Sequence, residues 1–148
     1  MLKVNPKINI IIFVLITLVV GSLASSSTGT DPWYQSLTKS ELNPPGYVFG
    51  IVWPILYLLM GITAWRTFET IKNLFYIQLF FNAIWSIIFF GFHQIFIALI
   101  DLGIILIFII WLMRIYYHVN RISFLLMIPY LLWSSYALML NGAIFYLN

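Results

Sequence analysis

From Ile95 to Tyr117 the chain is apolar almost without interruption, with only Asp101 and Arg114 carrying charge. A helix crosses the hydrocarbon core of a bilayer with about 20 such residues. In that medium every backbone N–H and C=O must be bonded within the segment, which leaves the helix as the available form. Four further stretches have comparable character: Ile8–Ser25, Tyr47–Trp65, Leu74–Phe92 and Ile122–Leu147. The pattern predicts an all-α integral membrane bundle of five transmembrane helices, forming a single domain over residues 1–148. Composition agrees, because 63% of the residues are hydrophobic and 7% charged, against about 25% charged in a soluble domain. The absence of cysteine excludes disulfides, thiolate metal sites and a cysteine nucleophile. No basic run points to nucleic acid.

Only the first connection, residues 26–46, is long, so successive helices should be antiparallel neighbours. With the amino terminus in the cytoplasm, Lys3, Lys7, Arg66, Lys72, Arg114 and Arg121 fall on the inner side and Lys39 alone on the outer. That split obeys the positive-inside rule. Lys3, Lys7, the apolar run and "GSLASSS" also fit a secretory signal, whose cleavage would leave four helices.

Polar groups in a membrane interior face other protein groups. At 100° per residue, Gln78, Asn82, Ser86 and Phe89 share one face, with Trp85 at its edge. Trp53, Tyr57, Met60 and Ala64 form a stripe on the second helix, and Tyr130, Trp133, Ser134, Ala137 and Asn141 one on the fifth. Close helix packing accounts for the small and hydroxyl residues. The tryptophans lie too far into their segments for an interfacial belt. An apolar pocket with a few placed polar groups accounts for them.

Pro44 and Pro45 suit a helix start with Asn43 as its cap, and Pro54 is expected to kink the second helix beside Trp53. Trp33, Tyr34 and Leu37 in the outer loop are expected either to fold back as a lid or to anchor at the interface, with Lys39 offering a cation at the mouth. Asp101 is expected to pair with a polar partner, the alternative being a ligand or proton role. His93 and His118 sit in opposite turns and cannot share a metal. No metal cluster, phosphate loop or nucleophile–base set is visible.

"WYQSLTKSELNPPGYVFGIVWPILYLLMGITAW", "QLFFNAIWSIIFF" and "PYLLWSSYALMLN", in that order, resemble the tryptophan-rich sensory protein family, the TspO proteins, also called translocator proteins or peripheral benzodiazepine receptors. The resemblance implies a five-helix protein, often a homodimer, of a bacterial cell membrane. It implies binding of protoporphyrin IX or related tetrapyrroles, and of synthetic isoquinoline carboxamides and benzodiazepines. Tetrapyrrole transport, stress signalling and light-dependent porphyrin breakdown are the roles it brings. Carried over by motif, Trp33, Tyr34, Trp53, Tyr57, Asn82, Trp85, Trp133 and Ala137 would line the pocket, and the helical faces add Ser86. Lys39-Ser40-Glu41-Leu42 departs from the family's usual loop. The carboxyl-terminal Tyr146-Leu147-Asn148 lacks the basic residue of the animal cholesterol pattern.

A receptor or sensor is the expected function. A flat macrocycle stacks on Trp and Tyr, and the lack of a buried histidine or cysteine ligand favours metal-free porphyrin over haem. No cofactor is required; porphyrin is ligand or substrate. A transporter is the alternative, although no internal repeat is visible. No acid–base pair supports ordinary catalysis, so degradation would be photochemical, with Trp53 and Trp133 as the oxidisable rings.

Overall fold

A computed structural model describes residues 5–148; Lys3 of the orientation argument lies outside them. Helix α1 spans Pro6–Thr30, a short α2 spans Pro32–Ser36, α3 spans Gly46–Ser86, α4 spans Ile95–Val119 and α5 spans Arg121–Leu147. α1 therefore runs past the expected end at Ser25, and the long connection begins correspondingly later.

The largest difference from expectation lies in α3. Helices over 47–65 and 74–92, joined by a short turn as antiparallel neighbours, are expected; both limbs are present, but helical hydrogen bonding continues almost unbroken across the kink between them. Only Thr67 leaves the helical region, at φ −123° and ψ 19°. The element is nevertheless a hairpin. The Tyr57 hydroxyl donates to Asn82 Oδ1, although these residues would stand roughly 37 Å apart along a straight helix. Trp53 and Trp85 likewise meet with ring centroids 6.5 Å apart. The connecting sequence "RTFETIKN" contains no proline or glycine, so nothing in it interrupts the helix. Hydroxyls bend it instead: Thr63 Oγ1 donates to Met60 O at 2.8 Å and Thr67 Oγ1 to Thr63 O at 2.7 Å, a back-bonding that loosens and bends helices.

The bundle of five spans thus consists of α1, the two limbs of α3, α4 and α5. α1 packs chiefly on α3, α4 on α5, and α3 also touches both of the latter. Met60, Ala64, Phe75, Ile105, Leu112 and Tyr116 are buried in the shared core. Ile55, Leu58, Ile107, Leu125 and Leu132 are exposed on the outside. An apolar exterior around an apolar core is what a lipid solvent permits, since lipid tails are as apolar as leucine.

Pro54 does not act as expected. The residues around it keep helical φ/ψ, and Pro54 is exposed on the outer surface, where its ring faces lipid. Asn43 is no cap either. Pro45 holds that position without a side-chain bond, while Asn43 Nδ2 donates to Pro44 O at 3.2 Å and, at 3.4 Å, to the Tyr34 hydroxyl.

Candidate functional site

At the end of the bundle capped by the 31–45 segment, α1, both limbs of α3 and α5 enclose a cavity of about 40 Å³. One wall is a row of aromatic rings. Trp53 lies against Tyr57 at 5.7 Å and 28°, and Trp85 against Phe89 at 5.4 Å and 20°. The contact between Trp53 and Trp85 joins the two pairs across the hairpin. On α1, Gly21 admits this packing, since a Cβ there would stand 3.2 Å from the Tyr57 hydroxyl.

The polar groups selected by helical spacing converge as expected, and they bind each other. Tyr57 donates to Asn82 Oδ1, Asn82 Nδ2 donates to the Tyr130 hydroxyl at 2.8 Å, and Gln78 Nε2 donates to the same oxygen. Three spans are tied at the cavity floor, the use membrane interiors make of amides and hydroxyls. Gln78 Oε1 and Ser134 Oγ remain buried without a partner among the described residues. Further out, Trp85 Nε1 donates to Asn141 Oδ1 at 3.3 Å, and Asn141 Nδ2 donates to Ile95 O at 3.0 Å.

Residues 87–91 form a single π-helical turn in place of the last α-turn. The wider winding brings both Phe89 and Phe90 to the cavity, at 4.8 Å and 75° to one another. Such turns recur at functional sites.

The roof is the loop. Asp31 Oδ1 caps α2 by accepting from Trp33 N at 2.9 Å. Tyr34 is buried against Phe89 and Phe90 and lines the cavity, and burial raises its phenol above the ordinary value. The Lys39 ammonium lies 4.6 Å from the Tyr34 ring centroid and donates to Leu37 O at 3.1 Å; partial burial lowers its pKa. The far end of the chain straps this roof. Thr38 N donates to Asn148 Oδ1 and Asn148 Nδ2 to Thr38 O, both at 2.9 Å, and the Tyr136 hydroxyl donates to Leu42 O.

Of the residues named from sequence, Tyr34, Trp53, Tyr57, Asn82, Trp85, Ser86 and Ala137 line the cavity, and Trp33 and Trp133 do not. Trp33 stacks on His93 at 4.0 Å and 12°, fastening α2 to the turn before α4. His93 occupies left-handed backbone there, with φ 56°. Trp133 shares a helical face with Ala137, but Phe49 stands between it and the cavity at 5.7 Å, edge to face. Trp133 instead lines an open groove with Val52, Pro129 and Tyr136. Sequence reasoning missed Gly21 on α1 and, on the other walls, Phe49, Phe90, Leu140 and Ile144. The last two extend the Ala137 stripe by one and two turns and were within its reach. Phe49 likewise extends the Trp53 stripe by one turn, and Phe90 depends on the π turn. Asp101 is buried in α4 away from the cavity, and its Oδ2 has no hydrogen-bond partner among the described residues.

Comparison with known proteins gives one consistent answer. Residues 11–147 match the TspO/MBR family. The chain is 35% identical to the tryptophan-rich protein TspO of Archaeoglobus fulgidus, over 91% of this chain and 94% of that one. It is 38% identical to the protein of the same name from Chlorobaculum tepidum, over 78% and 79%. With the translocator protein of Homo sapiens the identity is 31%, over 74% and 70%.

Proposed function

This chain belongs to the TspO/MBR family of membrane proteins, and from that premise we propose that it is a receptor for flat hydrophobic aromatic molecules, metal-free porphyrin foremost. The observation that carries the reading is the aromatic row Tyr57, Trp53, Trp85 and Phe89 along a cavity roofed by Tyr34. Stacked and edge-on ring contacts stabilise a planar guest beyond its area burial. Lys39, held on the Tyr34 ring, supplies a cation for a propionate at the aqueous mouth. Synthetic isoquinoline carboxamides and benzodiazepines suit the same wall.

The cavity's volume sets a condition. At about 40 Å³ it has room for a few water molecules, whereas ligand pockets span roughly 300–1,000 Å³. The described conformation is the closed one in this reading. Binding requires the roof to lift and Phe89 and Phe90 to swing aside, so ligand entry is coupled to movement of the loop. That coupling suits a sensor, because occupancy changes the outer surface. The amino terminus, by charge asymmetry, lies in the cytoplasm, which puts the roof outside the cell. If light-driven breakdown accompanies binding, Trp53 and Trp85 are the rings in reach, and Trp133 acts only through Phe49.

Titration of the purified protein with protoporphyrin IX, haem and a neutral polycyclic aromatic tests this. Saturable quenching of tryptophan fluorescence by protoporphyrin IX is expected, with haem binding no more tightly. Quenching that does not saturate, or that is the same in Trp53→Leu and wild type, would overturn it.

A further inference from the structure

At the other end of the bundle a groove of about 390 Å³ runs between α4 and α5 on the outer surface. Ile110, Met113, Phe124 and Leu131 make its apolar floor, and Arg114 and His118 its polar edge. α4 ends at Val119 and α5 begins at Arg121. Ile110 and Leu131 therefore mark the deep end, and His118 the end near water. From Ile110 to His118 the helix rises about 12 Å, most of the roughly 15 Å depth of one leaflet's hydrocarbon.

The cations at this groove are unmatched. Arg121 stands just outside the lining, its guanidinium 4.1 Å from the ring centroid of Tyr117, which lines the groove. That ring meets His118 and Phe124 edge-on, at 5.2 and 5.4 Å. Among the described residues the one Lys or Arg within 4.0 Å of a carboxylate is Lys72, beside Glu69, so neither Arg114 nor Arg121 has a carboxylate partner. None of the chain's four acidic residues lines the groove.

We propose that this groove binds one membrane phospholipid with an anionic headgroup. Its acyl chain lies on Ile110, Met113, Phe124 and Leu131, and its phosphate is held by Arg114 and Arg121. The gradation from an apolar floor to cations at the helix ends is that of an amphiphile at one leaflet. A guanidinium matches a phosphate's oxygens with paired N–H groups, and Arg114 reaches headgroup depth by extending its stem along the groove. A second copy of the chain is the weaker fit. At this end of the bundle it would bring one carboxylate, Glu69, which already faces Lys72.

Native mass spectrometry of the full chain, released from micelles holding equal phosphatidylglycerol and phosphatidylcholine, tests the site. One phosphatidylglycerol per chain should be retained in preference to phosphatidylcholine. Arg114→Gln and Arg121→Gln should each lower that preference about fivefold, the effect of one cation near a membrane surface. Both side chains are exposed, so neither change threatens folding. Arg66→Gln removes an exposed cation at the same end of the bundle and should leave the preference intact, whereas Leu131→Trp should fill the floor and reduce retention of both lipids. Equal retention of the two lipids by the wild type would overturn the proposal. So would an equal loss in Arg66→Gln, or a groove occupied by a second copy whose dimer dissociates in Glu69→Gln.

Discussion

The two ends of this bundle are built from the same helices in the same solvent, and they are packed differently. Towards the α3 hairpin, Met60, Ala64, Ile109, Leu112 and Tyr116 show no accessible surface. Towards the loop, Trp53 and Trp85 are half-buried, large rings replace aliphatics, and a cavity remains. Aliphatic side chains of intermediate size interdigitate to crystal-like density. Flat rings tile less well and leave a slot that another flat ring can enter. The closed end is packed without space, whereas at the aromatic end a hydrogen-bonded floor ties three spans and leaves the rings above it free to form a site.

The sharpest break of this contrast is Leu112→Ala. It removes packing from the closed end and should destabilise the protein by about 2–5 kcal/mol, read as a lowered thermal midpoint in detergent. Per-site porphyrin affinity in the remaining folded fraction should be unchanged; an equal loss of affinity would mean that the ends are not separable. Asn82→Leu comes next. Its amide serves Tyr57 and Tyr130 rather than open space, so stability should fall by about 1–2 kcal/mol from the unpaired hydroxyls, with ligand affinity falling alongside. A change in affinity alone would place the amide on the ligand.

Trp53→Leu and Trp85→Leu should each weaken porphyrin binding by about 1 kcal/mol with little change in thermal midpoint. Trp111→Leu, at an exposed ring on α4, should change neither quantity. If all three behave alike, the aromatic end is not a defined site. The smallest effect concerns pH. Protonated Lys39 attracts a carboxylate, and burial holds its pKa below the usual lysine value. Affinity for protoporphyrin IX should therefore decline as the pH rises through that lowered pKa, and Lys39→Gln should abolish the slope. A neutral aromatic should show no such decline.

Much of this molecule could be read before any fold was known. Apolar runs of membrane-spanning length allow only helices, because lipid offers backbone groups no partner. The 100° spacing collected Tyr57, Gln78, Asn82, Ser86, Tyr130 and Ala137 on inward faces, since a polar group in lipid is costly unless it faces protein. What periodicity could not decide is which inward residue meets empty space and which meets a neighbour. Trp133 and Ala137 share a face, yet Phe49 from another helix separates one of them from the cavity. The π turn that presents Phe90, the helical continuity of the 66–73 connection and the strap from Asn148 to Thr38 were equally invisible. The strap joins residues 110 apart, a contact no local propensity contains, and the kink and the π turn depart from the regular 100° winding on which the spacing argument rests. The helices and their inward faces were therefore determined by the sequence through the physics of the solvent; the cavity, its roof and the arginine-edged groove were decided only when those helices packed.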